Sequence, residues 1–438
     1  GVVACRSALE IVVNDDFWRG RRVFLTGHTG FKGSWLAMWL VRMGADVTGF
    51  SLPAEEVSLF RQANVAAGLT HIEGDIRDLR AVENAMVEAR PEMVFHLAAQ
   101  PLVRLSYDCP TETFATNVQG TAHVLDACRR IEGLKAVVCV TSDKCYENRE
   151  WVWPYRESDP MGGYDPYSAS KGAAELVISA YRRSFFTDGP LVASVRAGNV
   201  IGGGDWAADR LIPDIIRALV AGEEPFIRSP RSVRPWQHVL EALGGYLIIA
   251  QHLASGDEWA ATGWNFGPAD DDTRPVDWIA DRMCAAWGGP RWRTEEQIQV
   301  HEAKILKLDC AKARTELGWR PALRLEEALG YIVDWHRHVA NGGDAAKISI
   351  TQLDAYRTQL DRALSGITRL ARRHVELQKF DRLVRACCQG EAVRVLDVPE
   401  AEALKVDPIV ELLIARDPLS DLVRGEEVYV EGQVFAVI

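Results

Sequence analysis

A tyrosine and a lysine provide the first spacing in this sequence that could do chemistry. Tyr167 opens a helical segment, and Lys171 follows four residues later on the same face of that helix. An ammonium group beside a phenol favours the phenolate, so the pair predicts a tyrosine whose pKa is lowered enough for it to act as a base. The alternative is a surface tyrosine and lysine, because this spacing is common by chance. Ser142 favours the chemical interpretation, since it follows the apolar run 136–140, a predicted buried strand, at the end where α/β sheets bind ligands.

A glycine-rich loop near the start of the chain predicts a nucleotide site. The predicted strand 22–26 is followed by the loop 27–33 and then by a helical pattern. Glycines in such a loop allow a tight turn, a close approach of backbone N–H groups to a pyrophosphate, and close packing of helix on strand. A plain glycine turn is the alternative. We expect cofactor contacts from Gly27, Thr29, Gly30, Phe31, Lys32 and Gly33.

The next two predicted strands offer contacts to the rest of a dinucleotide. Strand 47–50 ends without the acidic residue that usually holds the ribose of NAD, and Ser51 could hydrogen-bond the ribose instead. No arginine stands at that strand end to hold a 2′-phosphate, which favours NAD over NADP. Asp75 could accept a hydrogen bond from the adenine amino group, with Ile76 packed on the ring. Asp75 could equally cap the helix that begins at Leu79.

Small residues and one asparagine follow on the next strand and helix. Ala98, Ala99 and Gln100 come after the predicted strand 93–97, where small side chains let the backbone approach a cofactor. Asn117 interrupts a helical pattern, where asparagine is unfavourable, so we expect it to anchor backbone near the site.

A basic stretch that contains a tryptophan could bind a diphosphate. It covers residues 228–238 of an otherwise acidic chain, and guanidinium groups match diphosphate oxygens bidentately. A charged surface loop is the alternative. Together with polar residues expected near the same crevice, the candidates for substrate binding are Arg104, Asn199, Arg210, Arg228, Arg234 and His238.

Length and composition limit the classes of protein to consider. A chain of 438 residues allows two or three domains, and its net charge of −11 argues against nucleic acid or an anionic membrane as a partner. The nine cysteines form no C-x-x-C pair and no zinc-like spacing, so we expect reduced thiols, no metal site and a cytoplasmic location. No apolar run approaches the roughly 18 residues that a membrane-spanning helix needs.

These motifs occur together in the order of a known family. Residues 26–36, Asn117, residues 142–144, the Tyr167–Lys171 pair and the segments 196–206 and 234–239 resemble an extended short-chain dehydrogenase/reductase that acts on nucleotide sugars. The resemblance covers roughly residues 15–356. It implies an α/β fold with a Rossmann-type doubly wound parallel sheet and a smaller, interleaved nucleotide-sugar domain. The expected divisions are an N-terminal extension 1–14, a mainly NAD-binding region 15–200, a mainly nucleotide-sugar-binding region 201–356 and a C-terminal appendage 357–438.

The pair Asp143-Lys144 narrows the resemblance to the 4,6-dehydratases of this family. The thymidine-nucleotide enzymes have Asp-Glu there, so Asp-Lys points to the cytidine-nucleotide branch. The resemblance implies that Tyr167, helped by Lys171, takes the C4 hydroxyl proton during oxidation by a tightly held NAD, while Ser142 holds the C4 oxygen. Lys144 then removes the C5 proton as general base, and Asp143 protonates the departing C6 hydroxyl.

Neighbouring positions on a strand point to opposite faces, so both residues of the pair Asp143-Lys144 serve one site only if the chain bends there. Otherwise they form a surface ion pair. Other nucleotide-sugar dehydratases, C4 epimerases and a non-enzymatic NAD-binding regulator remain as alternative functions. The resemblance also implies a homodimer, with a homotetramer as the alternative, built on helices that include Tyr167–Lys171.

The last part of the chain matches no part of that family. Residues 353–386 carry apolar residues at helical spacing and predict an amphipathic helix or helix pair, and residues 427–438 are strand-like. The sequence assigns no function to either stretch.

Overall fold

The computed structural model describes residues 13–269, 272–295, 306–362, 428–430 and 433–435. The chain divides into two compact units, Gly1–Ser365 and Gly366–Ile438, and each is described by itself. In the second unit, the described residues form two antiparallel strands, β11 (Val428–Val430) and β12 (Gln433–Phe435). These strands confirm the strand-like prediction for the end of the chain, and the other residues after 362 lie outside the described ranges.

The described residues of the first unit build a seven-stranded sheet in which every pairing is parallel. The order is β3-β2-β1-β4-β5-β6-β9, which is the doubly wound arrangement that the sequence predicted. Its strands are β1 (Arg22–Thr26), β2 (Asp46–Ser51), β3 (Thr70–Glu73), β4 (Met93–His96), β5 (Ala136–Val140), β6 (Leu191–Ala197) and β9 (Gly263–Phe266).

Helices cover both faces of this sheet, which explains why its central strands are apolar throughout rather than alternating. On β1, Val23 and Leu25 belong to one apolar cluster and Phe24 belongs to another on the opposite face. The helices of the first unit are α1 (Asp15–Trp18), α2 (Phe31–Arg42), α3 (Leu59–Gln62), α4 (Leu79–Ala89), α5 (Val103–Asp108), α6 (Pro110–Phe114), α7 (Gly120–Cys128), α8 (Pro166–Phe185), α9 (Leu211–Ala221), α10 (Val239–Ala254), α11 (Val276–Trp287), α12 (Ala311–Glu316), α13 (Leu325–Ala340) and α14 (345–362).

A second, smaller sheet lies among the later elements. It consists of β7 (Asn199–Ile201), β8 (Val233–His238) and β10 (Thr273–Pro275), with β7 parallel and β10 antiparallel to β8. A third apolar cluster joins this sheet to α9, α11 and α13. Because β9 follows β7 and β8 in the chain but completes the main sheet, the chain passes back and forth between the two sheets.

The core of the first unit extends to the end of α14. Leu353, Tyr356 and Leu360 of this helix are buried in the same apolar cluster as α2 and α10. The predicted amphipathic helix is therefore confirmed as far as residue 362. No helix within the described ranges has the length and apolar character needed to cross a membrane.

Candidate active site

One large cleft opens at the carboxyl ends of the main-sheet strands, with a volume of about 1320 Å³. Residues from the glycine-rich loop, the end of β5, the start of α8 and the segment 228–236 all line it. Every site residue predicted from the sequence lines this cleft except Asn117 and His238. The cleft is the place where open α/β sheets bind their ligands.

The glycine-rich loop has the shape that a dinucleotide pyrophosphate requires. Gly27 has a φ of +78°, and a Cβ atom added to it would lie 2.6 Å from the backbone nitrogen of Ala98. A Cβ atom on Gly33 would lie 2.0 Å from the carbonyl oxygen of Gly27. Glycine is thus the residue that fits both positions, and α2 begins at Phe31, so the N-terminus of a helix, which favours an anion, lies at the cleft. The loop fits NAD on these grounds.

The residues predicted to hold the adenosine half of the cofactor also line the cleft. Ser51 shares a hydrogen bond of 2.7 Å with the Thr29 hydroxyl, so the two side chains form one polar patch. Asp75 accepts hydrogen bonds from the Arg77 guanidinium, at 2.6 and 2.8 Å, which hold the pKa of Asp75 below its usual value. The alternative that Asp75 caps the next helix is wrong, because the cap of α4 is Asp78.

Two predicted site residues act on the backbone or core rather than in the cleft. Asn117 lies in a π-helical turn, Ala115–Gln119, where its side chain pairs with both the N–H and the carbonyl of Gln100, at 2.8 and 3.1 Å. It thus anchors the loop after β4, as the sequence suggested, but does not reach the cofactor space. His238, predicted to bind substrate, does not line the cleft, and its buried ring accepts from the N–H of Leu240 and caps α10.

The chain bends immediately after β5. This bend is what Asp143 and Lys144 need in order to face the same site. A short 3₁₀ turn, Asp143–Cys145, begins there, and the Ser142 side chain caps it by accepting from the N–H of Lys144 at 3.2 Å. The Ser142 hydroxyl also donates to Asp143 at 3.0 Å. Asp143 and Lys144 consequently both face the cleft, although they are neighbours in sequence.

Asp143 lies in surroundings that favour its protonated form. Burial raises the pKa of its carboxyl, and this outweighs Lys144, Ser142, Arg234 and the more distant Lys32, which all act to lower the pKa. The carboxyl is thus more often protonated near neutral pH than an exposed aspartate would be. A protonated carboxyl in a cleft is suited to act as a general acid.

The expected lowering of the Tyr167 pKa is not what the structure shows. Burial raises the pKa of Tyr167 to about 12, against a hydrogen bond from Ser142 that acts to lower it. Burial also lowers the pKa of Lys171 to about 8. Both shifts have one cause: the enclosed site disfavours the charged form of each group. Ionisation of the phenol near neutral pH therefore needs a further positive charge.

The pKa of Lys32 is also perturbed, which the sequence did not reveal. Burial lowers the pKa of Lys32 to about 7, with Arg210 and Lys171 also lowering it and Asp143 and Asp205 raising it. The lysine of the glycine-rich loop thus lies within electrostatic range of the acid–base groups as well as in the predicted cofactor site.

Three of the four arginines predicted to bind substrate are paired with aspartates in the cleft. Asp209 accepts from Arg104 at 3.2 Å and from Arg228 at 3.1 Å, and Asp205 pairs with Arg210 at 3.2 Å. Sequence reasoning missed both aspartates. The signal was present, since Asp205 directly follows the conspicuous glycine run 202–204 and Asp209 directly precedes Arg210.

Two further predicted substrate residues, Asn199 and Arg234, also line the cleft. Asn199 lies on β7 and pairs with Trp236 of β8, two residues after Arg234 on the same strand. The small sheet therefore supplies a polar wall opposite the main sheet's strand ends.

Comparisons with known proteins agree with this geometry. Residues 24–331 match the sequence model of a family described as GDP-mannose 4,6 dehydratase. A CDP-glucose 4,6-dehydratase from Salmonella typhimurium is 53% identical over 353 residues, covering 79% of this chain and 98% of the relative. A dTDP-glucose 4,6-dehydratase from Streptomyces antibioticus is 30% identical, covering 72% and 92%. Among solved structures, a dTDP-glucose 4,6-dehydratase from Streptomyces venezuelae with NAD bound superposes with a TM-score of 0.64 at 25% identity, covering 74% and 99%.

Proposed function

The chain belongs to the GDP-mannose 4,6-dehydratase family of extended short-chain dehydrogenase/reductases, and we infer that it is an NAD-dependent CDP-glucose 4,6-dehydratase. The reaction converts CDP-glucose into CDP-4-dehydro-6-deoxy-glucose and water. The observation that carries the dehydratase assignment is the turn after β5, which brings a buried carboxyl and an amine into the cleft that Tyr167 lines. The choice of CDP-glucose rests on the 53% identity to the Salmonella typhimurium enzyme. A site for simple C4 oxidation or epimerisation has no use for this additional acid–base pair.

The first step removes a proton from the C4 hydroxyl group. When bound, NAD would supply the two-electron acceptor for C4 and the later donor for C6, and its oxidised form would supply the positive charge that ionisation of the phenol needs. Tyr167 takes the hydroxyl proton, and Ser142, which hydrogen-bonds the phenol, holds the C4 oxygen in line with it. Lys171 lies one helical turn from Tyr167, where its ammonium favours the phenolate.

The second step eliminates water across C5 and C6. The C4 ketone acidifies the C5 hydrogen, and Lys144 takes that proton as general base. Asp143 in its protonated form donates a proton to the C6 hydroxyl, so that the C–O bond breaks and water leaves. After C6 is reduced, Lys144 returns its proton to C5. Asp143 and Tyr167 are reset by exchange with solvent.

The nucleotide end of the substrate is held by the basic wall of the cleft. Arg104 lies on α5, Arg210 immediately before α9, Arg228 in the loop before β8 and Arg234 on β8, so these arginines can neutralise a diphosphate from several sides. The diphosphate competes with Asp205 and Asp209 for the guanidinium groups of Arg104, Arg210 and Arg228. We propose that this exchange of a carboxylate for a diphosphate orders the substrate.

We further propose a homodimer that works in the cytoplasm. Helix α8 carries Leu176 and Phe185 at 63% and 49% exposure, which suits a helix that packs against a second copy. The cytoplasm suits the cysteines, since the six within the described ranges are free thiols, five of them buried.

A product assay tests the proposed function. The protein is incubated with NAD and, separately, with the glucose derivatives of CDP, dTDP, GDP and UDP, and each product is identified by NMR. We expect a 4-keto-6-deoxy sugar, with the highest kcat/KM for CDP-glucose. Conversion of any of these substrates to a galactose nucleotide, or no conversion at all, would contradict the assignment.

A further inference from the structure

A buried ion pair lies directly beneath the catalytic turn and has no part in the reaction described above. Glu175 of α8 and Arg196 of β6 have side chains that are 4% and 5% exposed. Arg196 donates to both carboxylate oxygens, from Nε to Oε1 and from Nη2 to Oε2, each at 2.8 Å. The guanidinium holds the pKa of Glu175 below its usual value despite the burial.

Two hydroxyl groups complete the coordination of the carboxylate. The Thr141 hydroxyl donates to Oε1 of Glu175 at 2.5 Å, and the Ser194 hydroxyl donates to Oε2 at 2.7 Å. Each carboxylate oxygen therefore accepts one guanidinium N–H and one hydroxyl. The two hydroxyl groups come from different parts of the fold. Ser194 belongs to β6, whereas Thr141 immediately precedes Ser142.

The guanidinium extends the network to the other end of the catalytic turn. Arg196 donates from Nη1 to the hydroxyl of Tyr146 at 2.5 Å, and Tyr146 donates in turn to Asn265 of β9 at 2.8 Å. Thr141 and Tyr146 are the residues on either side of the segment 142–145. The ion pair is thus hydrogen-bonded to the residues just before and just after the segment that contains Asp143 and Lys144.

Glu175 belongs to α8, the helix that also carries Tyr167. Glu175 stands on α8 four residues after Lys171 and eight after Tyr167, on the same helix face. We propose that Glu175, through Thr141 and Arg196, is a positioning residue that sets the distance between Tyr167 and the turn 142–145. This positioning role rests on the proposed function, whereas the hydrogen bonds of the network do not depend on it.

Energetic reasoning favours a positioning role over a purely stabilising one. A buried ion pair recovers little net stability against apolar residues of the same volume, because both charges lose their hydration. In this structure the Glu175 carboxylate accepts four directional hydrogen bonds, which connect α8 to β6 and to the end of β5. Reacting groups that are displaced by about 1 Å can lose on the order of 10²-fold in rate.

A matched pair of variants tests this role without breaking the ion pair. Thr141→Val removes the hydroxyl that holds the catalytic turn, and Ser194→Ala removes the equivalent hydroxyl from the other oxygen. For Thr141→Val we expect kcat for CDP-glucose to fall about tenfold with KM nearly unchanged. Amide hydrogen exchange should become faster in residues 142–146, and Thr141→Ser should restore both properties.

Ser194→Ala should lower the melting temperature about as much as Thr141→Val while leaving kcat and the exchange of residues 142–146 unchanged. An equal loss of kcat in both variants would overturn the inference, because the carboxylate would then serve stability alone. Unchanged kcat and exchange in Thr141→Val would overturn it as well. Failure of the wild-type protein to convert CDP-glucose would contradict the proposed function, while the exchange measurement would still decide the role of Glu175.

Discussion

Asp143 and Lys144 stand next to each other in the chain but meet different surroundings, and the proposed division into acid and base depends on this. The carboxyl of Asp143 is buried, with its pKa raised, and it accepts a hydrogen bond from Ser142. Lys144 is only half-buried and lies closer to solvent. A buried carboxyl with a raised pKa beside a more accessible amine matches the elimination step, in which both must act on adjacent carbons.

Asp143→Asn should separate the two halves of the reaction. The amide cannot supply the proton to the C6 hydroxyl, so we expect product formation to fall by about 10²-fold or more. Oxidation at C4 should persist, because Tyr167 and Ser142 remain in place. Stopped-flow absorbance would then show the cofactor becoming reduced on mixing with CDP-glucose and staying reduced. Normal product formation in this variant would remove Asp143 from the mechanism.

Arg234→Ala should shift the pH dependence of turnover as well as weaken substrate binding. Asp143 acts in its protonated form, so activity is lost as the pH rises through its pKa. Arg234 holds that pKa down, and its removal raises the pKa further. We therefore expect the alkaline limb of the kcat profile to move to higher pH, and KM to rise roughly tenfold through loss of a charged hydrogen bond.

Arg274→Ala is the matched control for Arg234→Ala. Arg274 is paired with Arg234 across β10 and β8, and its side chain is exposed outside the cleft. Its loss should leave both KM and the pH profile as they are. A shift of equal size in the control would show that the effect is one of overall charge.

At the scale of elements, the loop after β4 is held in place by a local distortion of the helix opposite. The π-helical turn Ala115–Gln119 lets Asn117 reach both backbone groups of Gln100 and also donate to the Ser170 hydroxyl on α8, at 2.8 Å. One side chain thus connects the cofactor-facing loop to the helix that carries Tyr167. Such π turns are frequent where a helix has to present a functional side chain.

Asn117→Ala should weaken NAD binding rather than the chemical step. Losing two hydrogen bonds to the Gln100 backbone frees the loop, and at about 1 kcal/mol each this predicts a roughly tenfold or larger rise in the Kd for NAD. Isothermal titration calorimetry measures it directly. Gln119→Ala changes an exposed residue of the same turn and should bind NAD like the wild type. Equal Kd values for all three proteins would contradict the anchoring role.

The elements that the sequence predicted well are those whose burial is visible in their composition. Strands β1, β4 and β5 are short apolar runs, and the glycine-rich loop has its own signature. Strands β7 and β8 were not predicted, because they carry Asn, Arg and Pro and acquire their partners only through the fold. Periodicity does not report such pairings.

The site residues show the same division between local and long-range information. From the sequence, Asp143 and Lys144 could face one site only if the chain bent after β5. The structure shows this bend as a 3₁₀ turn that the Ser142 side chain caps. The pKa of Tyr167 was misjudged, since helical spacing reveals the neighbouring Lys171 but not the depth of burial. His238 lies outside the lining of the cleft, and membership of a basic stretch does not reveal that its side chain caps α10.

For the whole molecule, a buried carboxyl joins three distant parts of the chain. Glu241 of α10 accepts from the N–H groups of Ala322 and Leu323, at 2.8 and 2.6 Å, and from the hydroxyl of Tyr356 in α14, at 3.0 Å. Burial raises the pKa of Glu241 to about 7. The last described helix of the first unit is thereby tied to the core through a group that titrates near neutral pH.

Glu241→Gln should change how stability depends on pH. The pKa of Glu241 in the folded protein is raised from 4.5 to about 7, so the folded state binds the proton more tightly and stability falls as the pH rises between those values. An uncharged glutamine should remove this part of the fall, so that the variant loses roughly 2–4 °C less in melting temperature over the interval. Glu88→Gln, an exposed change on α4, should follow the wild type. Parallel curves for Glu241→Gln and the wild type would contradict the assignment.

The central claim is that oxidation at C4 serves to remove water across C5 and C6, and an isotope label tests it most directly. CDP-glucose with deuterium at C4 is converted with NAD in ordinary water, and the position of the deuterium in the product is read by NMR and mass spectrometry. The account predicts a 4-keto product with the deuterium in the C6 methyl group. Deuterium returned to C4 of a glucose or galactose nucleotide, with no methyl group formed, would contradict it.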